Sequence, residues 1–393
     1  MQKLRSIGWT SSVSGLHVEA VALEWIGVKP PRLFFAIPWG DSANIWESET
    51  DSSGLVRGTP RRRTRGSGRQ THSSFASADN LDRLAFSDLT VNYDLWSAPV
   101  DPAHAEDPSA LTRITDTLGA DWAPSVSADG RQIAYIAQRS GAWNVLLRDT
   151  GSGRERIIAT SPTVLTNTAV SADGTRVAWS TAEMAVESML PASGERQKLC
   201  DHCGTVLALS ADGRYASYEP AENEDVYVID TSDRRTIMVA ARPEKSLILT
   251  GTQFSRDGKW IAFYSIDHST RTTQIHIAPF HPAQPVAASE WIDISDGKGF
   301  SQDPMWAPAG DMLYFVSGRD GFRCVWEQRL DPVSRKPAGE PVALRHLHSA
   351  RQTLRGFSSA GYLVHPAAAP GRIVFSMAEI KGSIWLEETS HRK

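Results

Sequence analysis

The chain has 393 residues, 41% of them hydrophobic and 22% charged, which is the balance of a globular protein and excludes a disordered one. Its formal net charge of −4 is too small to mark nucleic acid or an anionic surface as its partner. Three cysteines exclude a disulfide scaffold, and no stretch approaches the ~18 uncharged apolar residues of a membrane span.

The opening, MQKLRSIGWTSSVSG, has basic residues but no continuous apolar run behind them, so it does not read as a secretory signal. As written, the chain is expected in the cytoplasm. A periplasmic location is the alternative if Met1 truncates a larger receptor or an export signal. Residues 1–30 form an N-terminal segment in which HVEAVAL (17–23) is apolar enough to pair as a strand. Next comes RLFF, ending at Phe35. The stretch holding Arg57, Arg61, Arg62, Arg63, Arg65 and Arg69 is rich in Gly, Ser and Thr and lacks interleaved aromatics. It reads as a solvated, mobile loop rather than a phosphate-binding patch.

From here the chain repeats itself. SADG occurs at 127–130, 171–174 and 210–213, with SADN at 77–80, SRDG at 255–258 and a weaker APAG at 307–310. Each copy is followed by a short apolar run ending in an aromatic: Phe86, Tyr135, Trp179, Tyr218, Phe263 and Phe315. RLFF at the start and RIVF, ending at Phe375, fit without a good turn before them. Successive aromatics lie 39 to 60 residues apart, the range of four-stranded propeller blades with variable loops. Asp-Gly makes the hairpin turn, because Gly tolerates positive φ and Asp bonds its own backbone. The structural turn residues are therefore Asp79, Asp129, Gly130, Asp173, Gly174, Asp212, Gly213, Asp257 and Gly258. Continuous apolar runs imply strands buried on both faces, and no stretch has helical period. The expected fold is all-β: a single propeller of four-stranded antiparallel blades over 31–388, eight blades favoured and seven the alternative, with a tail at 389–393. The last unit lacks room for a fourth strand, so the N-terminal segment is expected to supply it and protect the edge.

The repeat resembles that of TolB-like and WD40-like propellers. NYDLWSAPVDP (92–102), KLCDHCG (198–204), DGFRCVWEQRLDP (320–332), HLHSAR (346–351) and GSIWLEE (382–388) further resemble the sensor propeller of bacterial, acidobacterial-type Ser/Thr kinases and winged-helix regulators. That resemblance implies a binding or scaffold module of a signalling system. A TolB-like envelope scaffold and a channel hydrolase or lyase are the alternatives.

Three clusters carry chemistry. Cys200 and Cys203 have Cys-x-x-Cys spacing, but a second pair of zinc ligands is missing. Incidental loop thiols are the simpler reading and a reversible disulfide the other. His346 and His348 face one side of an extended segment and, with Arg351, form a candidate ligand-binding cluster; the competing reading is a polar loop. His72, Ala123, Asn167, Val206, Gly251 and Asp303 align on the inner strands and would make a chemically mixed channel lining. G-x-S-x-G, H-E-x-x-H and the P-loop are absent. The expectation is a monomer that is not an enzyme, with no metal and no cofactor. Its partner would be a protein or small ligand on the loop faces or at the channel mouth.

Overall fold

The computed structural model describes residues 21–390, apart from 27–30, 40–41, 54, 79–80, 118, 221–223, 298, 349–351 and 355–364. Asp79 and Arg351 lie outside the described residues. The chain forms two compact units: residues 92–379, and residues 1–91 with 380–393.

The larger unit holds five four-stranded antiparallel sheets in chain order, beginning with Asp121–Val126, Leu165–Val170, Gly204–Leu209, Leu247–Phe254 and Ser301–Trp306. In each, the innermost strand turns at the repeat motif. Ser127 Oγ donates to Asp129 Oδ1 (2.7 Å), and that oxygen accepts the Arg131 amide (3.0 Å) while Gly130 holds φ +73°. Ser171 with Asp173, Ser210 with Asp212 and Ser255 with Asp257 repeat the arrangement at 2.6, 2.7 and 2.5 Å. Gly174, Gly213 and Gly258 have φ of +73°, +69° and +69°. These contacts satisfy turn groups that would otherwise compete for water.

The strands are apolar on both faces because each sheet packs on two neighbours, and the packing closes on itself. Trp122 and Ile136 of the first blade meet Val177 and Trp179 of the second. Val186 and Leu199 meet Val206 and Tyr218 of the third. Val226 and Val228 meet Ile261 and Phe263 of the fourth. Tyr264 and Ile275 meet Leu313 and Phe315 of the fifth. Beyond the fifth blade, Val325 and Leu344 pack on Ile373, Phe375 and Ala98. Leu95 and Val374 then pack on Ile133 and Tyr135, returning to the first blade.

That final set is assembled from both ends of the unit. Ala367–Ala369 pairs with the start of the long strand Arg372–Ser390. This neighbours the strand Leu81–Pro99, whose Trp96 and Ser97 pair with Arg113 and Thr112. The Val100 amide donates to the Gly371 carbonyl (3.2 Å). The expected eight, or seven, four-stranded blades are therefore not seen: among the described residues, five complete blades and one set drawn from both ends of the unit make the circuit.

The smaller unit explains the discrepancy. Its strands, including Arg32–Trp39, Ser42–Thr50, Val56–Arg62 and Arg69–Ala78, belong to a single curved sheet rather than to separate blades. Phe34, Ile45, Leu84 and Phe86 form its core, with Phe34 stacked on Phe75 at 5.0 Å between centroids. Of the N-terminal segment expected to close the ring, Val21–Ile26 pairs with Arg32–Trp39; residues 1–20 lie outside the described residues. The arginine stretch is not a mobile loop either. Val56–Arg62 pairs with Ser42–Thr50, and Arg61 and Arg63 meet Glu47. Ile384, Trp385 and Leu386, expected inside a blade, are 85%, 56% and 59% exposed.

Candidate functional site

The inner strands share a backbone irregularity where the sequence aligned its channel positions. Register shifts fall at Trp122/Ser125, Leu165/Asn167, Val206/Ala208, Thr250/Gln253 and Gln302/Met305. Ala123, Gly251 and Asp303 have φ of +49°, +65° and +52°, and His365 has +44°. A bulge at the same place in successive blades bends each inner strand and re-aims its groups. Non-glycine residues held in this region are strained, a feature that clusters at binding sites.

The bulges border a cavity of about 80 Å³, lined by Asn167, Thr168, Gln253, Arg256 and His365 among others. It has room for a few waters or a small polar group, not for a sugar chain. Asn167 donates to the Val206 carbonyl at 2.6 Å, while its buried Oδ1 has no hydrogen-bond partner among the described residues. Asp303 and His365 line an adjoining recess with Gly251 and Gln253. Burial holds the His365 imidazole well below its ordinary pKa, so it is neutral at pH 7. The repeat turns surround the cavity on one face. There the variable residue of the fourth blade, Arg256, reaches Ala128 of the first-blade turn, Nη1 to carbonyl at 2.7 Å. His365 and Arg256 escaped the sequence reading. The turn before Phe375 is degenerate, so no inner-strand position was aligned there, and the second residue of the Ser-x-Asp-Gly motif was read only as turn filler.

A second group lies at the edge of the fifth blade. Leu347 is buried in the core, so His346 and His348 on either side project the same way. Their nitrogens, Nδ1 and Nε2, are 3.2 Å apart. Both meet Asp320 Oδ2, at 2.9 and 3.1 Å. No carboxylate neighbours these histidines in sequence; the hairpin before Cys324–Arg329 brings one. Cys324, fully buried, completes a group whose donor atoms all lie within 4.8 Å of one another. Burial, with Asp320 adding, pushes its thiol up to about 12. Burial works against the Asp320 charge, but hydrogen bonds from His348, Cys324, Phe322 and His346 hold its carboxyl below the usual range.

The remaining pair is settled differently from the simpler reading. Cys200 and Cys203 are joined in a disulfide between the second and third blades, and His202 between them turns away, its Nδ1 2.9 Å from the Glu183 carbonyl.

No family of known proteins and no curated protein matches the sequence. Solved structures do match. A putative TolB from Agrobacterium tumefaciens is 17% identical with a TM-score of 0.52, over 74% of this chain and 99% of that one. TolB from Acinetobacter baumannii is 11% identical with a TM-score of 0.48, over 78% and 79% of the two chains. An oligogalacturonate lyase in complex with manganese is 12% identical with a TM-score of 0.48, over 80% and 98%. The expectation that this chain is not an enzyme does not stand, because absent motifs do not decide it; the lyase likeness, at a TM-score of 0.48, assigns no activity either. Among the described residues, no helix is long and apolar enough to cross a membrane. At the level of fold the chain is all-β, with a TolB-like propeller.

Proposed function

We propose that the propeller is the ligand-recognition module of a bacterial signalling system, receiving a small polar ligand or a peptide end at the axial cavity. The observation that supports this is the unpartnered Oδ1 of Asn167, buried at a cavity beside Gln253, Arg256 and His365. A buried polar atom without a partner costs roughly 1–3 kcal/mol, which a bound donor recovers. The signalling context rests on the resemblance of 92–102, 198–204 and 382–388 to regulator propellers. The Cys200–Cys203 disulfide supports an oxidising compartment such as the periplasm.

The test is thermal shift of the whole chain against amino acids, dipeptides and short uronate oligomers, repeated with Asn167→Leu. A saturable stabilisation that the substitution abolishes supports the reading. Stabilisation unaffected by Asn167→Leu, or no stabilisation by any of these, overturns the cavity's role. Release of unsaturated uronate would assign the propeller to a lyase instead.

A further inference from the structure

We propose that Asp320, Cys324, His346 and His348 bind a zinc-type transition-metal dication, at a site separate from the axial cavity. The spacing is that of a coordination shell. Metal–nitrogen bonds of about 2.0–2.1 Å in a tetrahedron set neighbouring donors roughly 3.3 Å apart. The two imidazole nitrogens are 3.2 Å apart, and the carboxylate oxygen is 2.9 and 3.1 Å from them. Hydrogen bonds to Asp320 Oδ2, which can accept from both imidazoles, explain the two nitrogen–oxygen contacts but leave the ring nitrogens facing each other at 3.2 Å with no proton between them. A cation satisfies all three lone pairs at once.

The donors sit on ordered supports. Cys324 begins a strand and pairs with Ser317 across the hairpin. Asp320 Oδ1 accepts the Phe322 amide (3.2 Å), which leaves Oδ2 for the histidines. The His346 amide donates to the Ala105 carbonyl at 2.9 Å, and the neighbouring Arg345 Nη1 to the His104 carbonyl at 3.0 Å. Phe322 stacks on the His348 ring at 4.2 Å and limits its rotation. Supports of this kind hold ligand rings in place. The nearby cations, Arg319 and Arg323, lie over the Trp326 and Phe300 rings.

The donor set decides the metal class. Two imidazoles, one carboxylate and one thiol suit zinc or cobalt and are wrong for calcium or magnesium, which take oxygen ligands. On binding, the thiol proton and any imidazolium proton leave to solvent, and four metal–ligand bonds replace the hydrogen bonds among the side chains.

The experiment uses the full, untagged chain, stripped with chelator and kept non-oxidised at Cys324 but unreduced, so that the Cys200–Cys203 disulfide donates nothing. Zinc is titrated calorimetrically and cobalt is followed by visible absorption. Expected are one ion per chain, tetrahedral cobalt bands, and a thiolate-to-cobalt charge-transfer band that Cys324→Ser removes. His348→Ala, at an exposed position, should fold with an unchanged melting temperature in chelator and weaken zinc by at least about tenfold. Absence of stoichiometric zinc binding at micromolar concentration overturns the proposal. So does zinc affinity unchanged by His348→Ala, or a cobalt spectrum unchanged by Cys324→Ser.

Discussion

The two units of this chain use the same strand chemistry to different ends. In the propeller unit, four turns carry the same Ser–Asp hydrogen bond, and six apolar clusters hand packing from one sheet to the next until the last returns to the first. In the smaller unit, among the described residues, one cluster of Phe34, Ile45, Leu84 and Phe86 serves one curved sheet. Its flank is tied by Arg63–Glu387 and Arg83–Glu388 ion pairs, and Trp385 remains exposed. Stacking blade on blade buries both faces of the inner and middle strands and leaves only short outer edges, such as Glu155–Ser161 and Glu195–Cys200, to solvent. An open sheet buries one face and must manage the other with charge.

The contrast is broken most severely by truncating a residue shared between blades. Phe263→Ala should cost about 3–5 kcal/mol, because the cavity opens where two sheets meet and neither can collapse. Urea midpoints would show it, and an unchanged midpoint would mean the blades are not mutually supporting. Gly251→Ala comes next. A Cβ there would stand 2.1 Å from Tyr264 Cε1 at a φ of +65°, so overpacking adds to backbone strain, for a loss of about 2–4 kcal/mol. Gly258→Ala has similar φ but open space, so only the backbone cost of about 1–2 kcal/mol applies. Equal losses at the two glycines would refute the close approach at the axis.

His365 makes the propeller acid-sensitive. Its pKa is lowered in the fold from 6.5 to about 4, so protonation favours the unfolded chain. The stabilisation is complete above about pH 6.5, falls as pH drops through that value, and is lost towards pH 4. Because the ring is only partly buried and borders a cavity, the loss should be of order 1–2 kcal/mol. His365→Gln should flatten that part of the stability–pH curve, measured by chemical denaturation at each pH.

The turns give a finer test. Asp173→Ala removes bonds from Ser171 and Thr175 and should cost about 1 kcal/mol. The fifth-blade turn has Ala307 and Ala309 where other copies have Ser and Asp, yet its Gly310 keeps φ +74° and donates to the Ala307 carbonyl. Installing Ala307→Ser with Ala309→Asp should raise stability by about 1 kcal/mol. A loss in melting temperature would show that this turn is not equivalent to the others. The smallest effect belongs to the open unit. Arg83→Ala breaks a pair with both partners about half exposed and should cost under about 0.5 kcal/mol, vanishing at high salt.

The candidate sites were legible in part. His346 and His348 could be placed on one side because strand alternation is local. Asp320 and Cys324 could not be joined to them, because the hairpin that returns to the last strand of the blade is a tertiary contact. Likewise Asn167 and Asp303 were aligned from the repeat, whereas His365, lacking a clear turn after it, was not.

The sequence by itself determined the strands, their two-sided burial and the turn chemistry, since each depends on a few adjacent residues: Ser127, Asp129 and Gly130 bond one another wherever the blade lies. It did not determine the number of blades. Phe35 and Phe375 carry the same apolar–aromatic signal, yet Phe35 belongs to an open sheet and Phe375 to the closing set of the propeller. The choice falls to which distant strand each meets. Residues 92–99 close the circuit because Leu95 and Ala98 find Val374, Ile373 and Phe375 across nearly the whole length of the larger unit, a pairing that only the folded circuit brings together.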